Sequence, residues 1–248
     1  MSDPALLDGY RSAWQHKPVL QLVYDDFSDR IAAACVPGLT VEIGGGIGNL
    51  KQRMANVVAT DVQFAPWLDC VADAQRLPFA DGVAANIVMV DVLHHIEYPP
   101  KFFRDAERVL KPGGRIVMIE PAITLGSTLF YRVLHHEPVV TSADPLADGE
   151  PDPARDPYDS NQAIPTLIAT RHRDRFHAMF PGLRITRTDW FSFAVYPLSG
   201  GFKPWSLVTV PMARQMLRLE RALEGTLGRA LAFRMMLIVE KTGVSASQ

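Results

Sequence analysis

The sequence predicts an α/β protein built on a doubly wound, mostly parallel seven-stranded sheet, with an antiparallel C-terminal strand and a lid-like insert. Three observations carry that expectation. Between residues 39 and 121 four short β-branched runs alternate with helix-like segments, the pattern of a parallel sheet with crossover helices. Those runs are mostly apolar through their length rather than at every second position, as strands covered on both faces are. The stretch VEIGGGIGNL (41–50) then puts four glycines into five positions between a strand and a helix-like run, the place where open α/β sheets bind ligands.

The elements follow in order. Residues 1–38 form an expected N-terminal helical cap. LTVEI (39–43), NVVATD (56–61), NIVMVDV (86–92) and RIVMIEP (115–121) read as buried strands of a cofactor-binding half spanning 39–121. GNLKQRMA (48–55) and PPKFFRDAERVLK (99–111) read as helices, the second opened by proline and stopped by PGG. After Pro121 the alternation ends. LGSTLFYRVLHH (125–136) looks helical, and residues 137–165 hold six prolines and seven acidic residues against one basic residue, Arg155. A long irregular stretch in a compact domain reads as a functional lid, here an acceptor or lid insert over 122–182. Its charge suits either a solvated loop or a cationic acceptor. A helix (166–179), a strand (183–193), the loop YPLSGGFKPW (196–205), a helix (209–227) and a strand (231–241) complete the sheet over 183–248. The whole chain reads as one domain.

Composition excludes more than it assigns. A net charge of −2 over 248 residues gives no basic surface for nucleic acid. No apolar run has the length that crosses a bilayer, and MSDPALLDGYRSAWQHK at the start has no apolar leader core, so the expected location is the cytoplasm. Cys35 and Cys70 match no metal or redox spacing and read as reduced core residues.

The glycine run decides between ligands. A dinucleotide fold calls for G-x-G-x-x-G, and counting from Gly44 the sixth position is Asn49. The alternative, acidic-x-G-x-G-x-G, is met by Glu42, Gly44, Gly46 and Gly48. Asp61 ends the second strand, where a carboxylate can accept hydrogen bonds from vicinal ribose hydroxyls, although dehydrogenases use an acid there as well. ADAQRLPFADG (72–82), DVLHHI (91–96) and VLKPGGRIVMIEP (109–121) follow in order. Together these segments resemble the class I S-adenosylmethionine-dependent methyltransferases, in particular the small-molecule, methyltransferase type 11-like subgroup. The resemblance covers residues 39–121 and fades beyond them.

That resemblance implies S-adenosyl-L-methionine as the cofactor and methyl transfer to a small-molecule acceptor, of sugar or secondary-metabolite type, as the reaction. It implies that Glu42 meets the amino end of the methionine portion, that the backbone of Gly44, Gly45, Gly46 and Gly48 passes beneath it, and that Asp61 meets the ribose. Asp73 would meet the adenine amino group, with Val62 and Ala74 in the same set, and the segment from Asp91 would run past the sulfonium. An acceptor that must lose a proton needs a base, and histidine suits neutral pH. His94, His95 and His136 are the leading candidates, with His135, Glu120 and Glu137 behind them. The competing reading makes His94 and His95 part of the cofactor wall and His135–Glu137 a helix cap. No metal is expected, since adjacent histidines are awkward ligands for one ion.

Other features stay open between packing and function. Tyr10 and Trp14 either close over the cofactor or pack an N-terminal helix. On helix 209–227, Met212, Met216, Leu219, Leu223 and Leu227 read as the face packed on the sheet. Arg214, Arg218 and Arg221 read as a charged outer face, or as a stripe for a phosphate-bearing, lipid-linked acceptor met by peripheral membrane contact. Trp190, Phe191, Phe193, Tyr196, Phe202 and Trp205 form either a core edge or a wall for a ring-shaped acceptor. The alternatives in function are a nicotinamide-dependent oxidoreductase or epimerase, and a methyltransferase-like domain that binds cofactor without turnover.

Overall fold

A computed structural model of the chain describes residues 5–134 and 138–243. Seven strands form one sheet: β1 (Thr40–Ile43), β2 (Val57–Asp61), β3 (Cys70–Val71), β4 (Ala84–Val90), β5 (Leu110–Pro121), β6 (Leu183–Phe191) and β7 (Arg234–Lys241). Their order is β3-β2-β1-β4-β5-β7-β6. Only β7 runs against its neighbours, pairing antiparallel with both β5 and β6. The predicted fold class is therefore the observed one.

Among the described residues eight helices cover the faces: α1 (Ala5–His16), α2 (Pro18–Ala34), α3 (Pro99–Val109), α4 (Leu125–Leu134), α5 (Ile164–Ala169), α6 (Arg173–Met179), α7 (Val195–Ser199) and α8 (Val210–Leu231). On one face Phe102 and Phe103 of α3 pack with Phe176 and Phe180 against the inward side chains of β1, β4, β5 and β7. On the other, Val23, Phe27 and Ile31 of α2 meet Val88, Val117, Phe191 and Ala213. Burial on both faces is why the central strands are mostly apolar, with Glu42, Asn86 and Glu120 among the exceptions.

Four expectations are corrected. The helix expected over 48–55 is a single 3-10 turn, Leu50–Gln52. Part of the connection from Ile43 to Val57 is taken by the glycine turn, which leaves room for only a short helical piece. The helix expected over 166–179 is two, α5 and α6, because the backbone breaks at Thr170 (φ −123, ψ −91). Cys70 is exposed rather than in the core, on the two-residue edge strand β3. Cys35 is half-buried, and burial pushes its thiol up to about 12.

The fourth correction concerns α8. Its inward residues are Ala213, Glu220 and Gly228, whereas Met212 and Leu219 are 50% and 61% exposed. Small residues win the inner face because a Cβ on Gly228 would lie 2.4 Å from the Trp190 carbonyl oxygen. Buried Glu220 caps the backbone, accepting the N–H groups of Ala194 and Val195 at 2.8 and 2.9 Å. Arg221 pairs with buried Asp26 of α2, which also holds Arg30. One of the three stripe arginines is thus committed to holding α8 on α2.

The acidic insert docks rather than floats. Glu150 and Asp148 pair with Lys101 and Arg104 of α3, and Asp144 pairs with Arg175 of α6. Asp144, Asp152 and Asp156 also accept backbone N–H groups two residues on, the turn chemistry that aspartate supplies. Among the described residues no helix is long and apolar enough to cross a membrane.

Candidate active site

The sheet topology delivers the site to one edge. The glycine turn follows β1, Asp61 ends β2, Asp91 follows β4, and Glu120 lies at the end of β5. Because β7 is antiparallel, its first residue, Arg234, pairs with Pro121 and arrives at the same edge. There a cavity of about 1180 Å³ opens, lined by Glu42, Gly44, Gly45, Gly46, Asp61, Val62, Asp91, His94 and His95 among others. That volume exceeds what one drug-sized ligand needs.

The glycine turn is held from outside and left bare within. Gly44 has φ +68, and a Cβ there would lie 2.2 Å from Val92 Cγ2. The segment after β4 is thereby seated directly on the turn. Trp67 Nε1 donates to the Gly46 carbonyl at 2.8 Å, and Gly46 N–H donates to Asp61 Oδ2 at 3.0 Å. A Cβ at Gly46 (φ +42) would meet nothing closer than 3.8 Å. That open space belongs to the cavity.

Glu42 is the clearest sign of a ligand. Its side chain is buried, 5% exposed, and among the described residues its Oε2 has no hydrogen-bond partner. Burial, followed by the nearby Asp61 charge, pushes its carboxyl up to about 8. Burial also raises Asp61, against hydrogen bonds from the N–H groups of Gln63 and Gly46. A buried oxygen without a partner is costly unless something supplies a donor. An ammonium group, such as the amino end of S-adenosylmethionine, fits that need, so the residues present suit the cofactor the resemblance implies.

At the far side of Gly44 lie two paired groups. His94, 3% exposed, places Nδ1 2.7 Å from Glu120 Oε2, while Glu120 Oε1 accepts the N–H groups of Val92 and Leu93. Burial alone would raise the Glu120 carboxyl; the hydrogen bond and charge of His94 and the two N–H donors outweigh it, and the group ends below its ordinary value. An ionised Glu120 accepts only a hydrogen carried on Nδ1, so it fixes which ring atom faces it. Beside this pair Asp91 is bonded to Arg234, whose guanidinium also stacks 4.3 Å from the Tyr196 ring centroid. Donor atoms of Asp91, His94 and Glu120 lie within 4.8 Å of one another. Glu120 Oε2 meets His94 Nδ1, Glu120 Oε1 takes two backbone N–H groups, and Asp91 Oδ1 meets Arg234, so hydrogen bonds hold each member of the cluster.

The walls come from three segments. The insert folds over residues 94–95: Asn161 N–H donates to the His94 carbonyl, Arg155 to the His95 carbonyl, and His95 Nδ1 lies 3.1 Å from the Tyr158 carbonyl. The Tyr158 hydroxyl accepts from Gln63 at 2.7 Å, and burial raises that hydroxyl's pKa. From α1, Arg11 lies over Trp67 and Tyr10 packs 5.0 Å from Phe202. Lys17 Nζ, between α1 and α2, donates to the carbonyls of Gly201, Lys203 and Trp205 at 2.6, 2.7 and 2.8 Å.

Not every expected site residue is in the cavity wall. Gly48 packs instead beneath Trp67, where a Cβ would lie 2.8 Å from the ring. Asp73 is exposed and accepts the Gln75 N–H, and Ala74 belongs to the core. Trp14 packs beside Leu20, Tyr24 and Ile47. Tyr196, Phe202 and Trp205 line the cavity, whereas Phe191 is core. His136, with His135 and Glu137, lies outside the described residues. Arg234, Lys17 and Trp67 had no signal in local motifs; the trace of Arg234 in the sequence is a charge opening an otherwise apolar final strand.

A family of methyltransferase domains matches residues 41–118. The likeness to that family is confined to this segment. The matched segment runs from β1 into β5 and contains Glu42, the glycine turn, Asp61, Asp91 and His94. The chain is 27% identical over 120 residues to norajmaline N-methyltransferase of Rauvolfia serpentina, covering 48% of this chain and 36% of that protein. It is 32% identical over 104 residues to demethylmenaquinone methyltransferase of Renibacterium salmoninarum, covering 36% of this chain and 44% of that one. The chain thus spans less than half the length of these curated relatives. In fold it resembles a SAM-dependent methyltransferase from Thermotoga maritima, with a TM-score of 0.57, 12% identity, and 96% and 97% of the two chains covered.

Proposed function

We propose that the chain transfers a methyl group from S-adenosyl-L-methionine to a ring-shaped small molecule of secondary-metabolite type. The partnerless Glu42 oxygen, buried beside the bare glycine turn of the segment that matches methyltransferase domains, carries this reading. When bound, the cofactor supplies a methyl group on a sulfonium already activated for displacement. Glu42 would hold its amino group, and Asp61 its ribose hydroxyls, while Asp61 also pins Gly46.

The chain's own groups then do three things. The cavity beyond the cofactor residues is lined by Tyr24, Phe130, Tyr196, Phe202, Trp205 and Phe233, a wall that suits a planar ring better than a sugar. His94 Nε2 takes the proton that an acceptor hydroxyl or ammonium must lose, and Glu120 keeps the imidazole in the right tautomer and steadies its positive form. The insert and α1 exclude water, holding the nucleophile in line with the methyl group.

The test is incubation with methyl-labelled cofactor and a panel of aromatic hydroxyl compounds, aromatic-ring amines and hexoses. Label should pass to ring compounds and fall with His94→Ala. Transfer to hexoses alone, or none by a protein that binds the cofactor, would overturn the acceptor assignment.

A further inference from the structure

The Asp91–Arg234 pair links the residue after β4 to the first residue of β7, and its arginine lies beyond the matched family segment, which ends at residue 118. Asp91 sits in the left-handed region (φ 58) although it is not glycine, a conformation asparagine and aspartate tolerate but seldom adopt without cause. The next residue, Val92, rests on Gly44, so the Asp91 carboxylate faces the cavity next to the glycine turn. Arg234 is 5% exposed, lines the same cavity, and is fixed by Asp91 on one edge and the Tyr196 ring on one face. Arginine keeps its charge at every working pH. Among the described residues the other acid and base side chains at this cavity are Glu42, Asp61, His94 with Glu120, His95 and Lys203.

Methyl transfer removes a positive charge from the nucleoside. A bare carboxylate at the reacting end would hold the sulfonium more tightly than the transition state, and such ground-state binding slows the step. We propose that Arg234 is a positioning residue that cancels the Asp91 charge there, so that the sulfonium nucleoside and its neutral thioether product bind with similar affinity. This rests on the cofactor reading above.

The probes are S-adenosylmethionine and S-adenosylhomocysteine, titrated calorimetrically into the wild-type chain, Arg234→Met, Asp91→Asn and the double variant, with far-ultraviolet circular dichroism to verify folding. In the wild type the two dissociation constants should lie within about threefold, since the local charges cancel. Arg234→Met exposes the carboxylate and should favour the sulfonium form by about tenfold or more. Asp91→Asn, whose asparagine accepts the same backbone, should shift the ratio the other way, and the double variant should restore it. Should Arg234→Met not fold, the opposite shift in Asp91→Asn still decides the matter. Ratios unchanged in both single variants, or not restored in the double, overturn the proposal alone. Failure of the wild type to bind either nucleoside overturns the cofactor reading and this proposal with it.

Discussion

His94 Nδ1 lies 2.7 Å from Glu120 Oε2, and the other oxygen of that carboxylate accepts the N–H groups of Val92 and Leu93. One buried side chain from the end of β5 therefore shapes the turn after β4 and fixes the imidazole set in that turn. Glu120→Gln keeps an acceptor for the backbone but presents an amide N–H₂ or a weaker oxygen to the ring. Turnover should fall roughly a hundredfold, the lower range for lost acid–base assistance, with cofactor affinity little changed; steady-state kinetics beside calorimetry separates the two.

The same carboxylate makes a pH prediction. Its folded value is depressed below the ordinary 4.5. Its contribution to stability is therefore complete above about pH 4.5 and is lost as pH falls through the lower folded value. Thermal unfolding followed from about pH 7 downwards should show a steeper acid decline in wild type than in Glu120→Gln. Parallel curves would contradict it.

Gly44→Ala and Gly46→Ala should fail differently. At Gly44 a Cβ collides with Val92, so that variant should be strongly destabilised. At Gly46 there is room, and only the left-handed backbone (φ +42) opposes alanine, at about 1–2 kcal/mol. Gly46→Ala should fold, yet lose S-adenosylhomocysteine binding because the methyl group occupies the space above the turn. Denaturation and calorimetry on both variants test the contrast.

Lys17 joins the helical cap to the loop over residues 200–205 through three carbonyls. Lys17→Met should cost about 1 kcal/mol, since the ammonium remains partly hydrated, and should loosen the loop. Hydrogen exchange at residues 201–207 should accelerate, with strands β4 and β5 unaffected.

Breaking the Asp26 network should hurt more. Asp26 is buried and holds both Arg30 and Arg221. Asp26→Ala leaves two guanidinium groups short of a partner and should lose about 3 kcal/mol in chemical denaturation.

How legible this molecule is in its sequence depends on where the partners lie. The strands were readable because double burial leaves β1, β4 and the second half of β5 mostly apolar. The placement of Glu42 on β1 and of the glycines in the turn after it was readable because the pattern lies within ten residues. Helix α8 misled, since Met212, Leu219 and Leu227 of its apolar stripe are exposed while close contact is made by Ala213 and Gly228, and small residues carry little hydrophobic signal. The Asp91–Arg234 and Lys17 contacts join residues 143 and more than 180 positions apart, so only the sheet order and the paired loops could bring them out.

The central claim is that Glu42, starved of a donor, awaits the amino group of a sulfonium nucleoside. Its carboxyl is held up to about 8 in the free protein, so binding an ammonium at about pH 6.5 must expel a proton. Calorimetry of S-adenosylhomocysteine binding at that pH, in two buffers of different ionisation heat, counts that proton. The account predicts one-site binding with release of close to one proton in wild type, and weaker binding with no release in Glu42→Gln. Absence of binding, or binding with no proton released by the wild type, would contradict it.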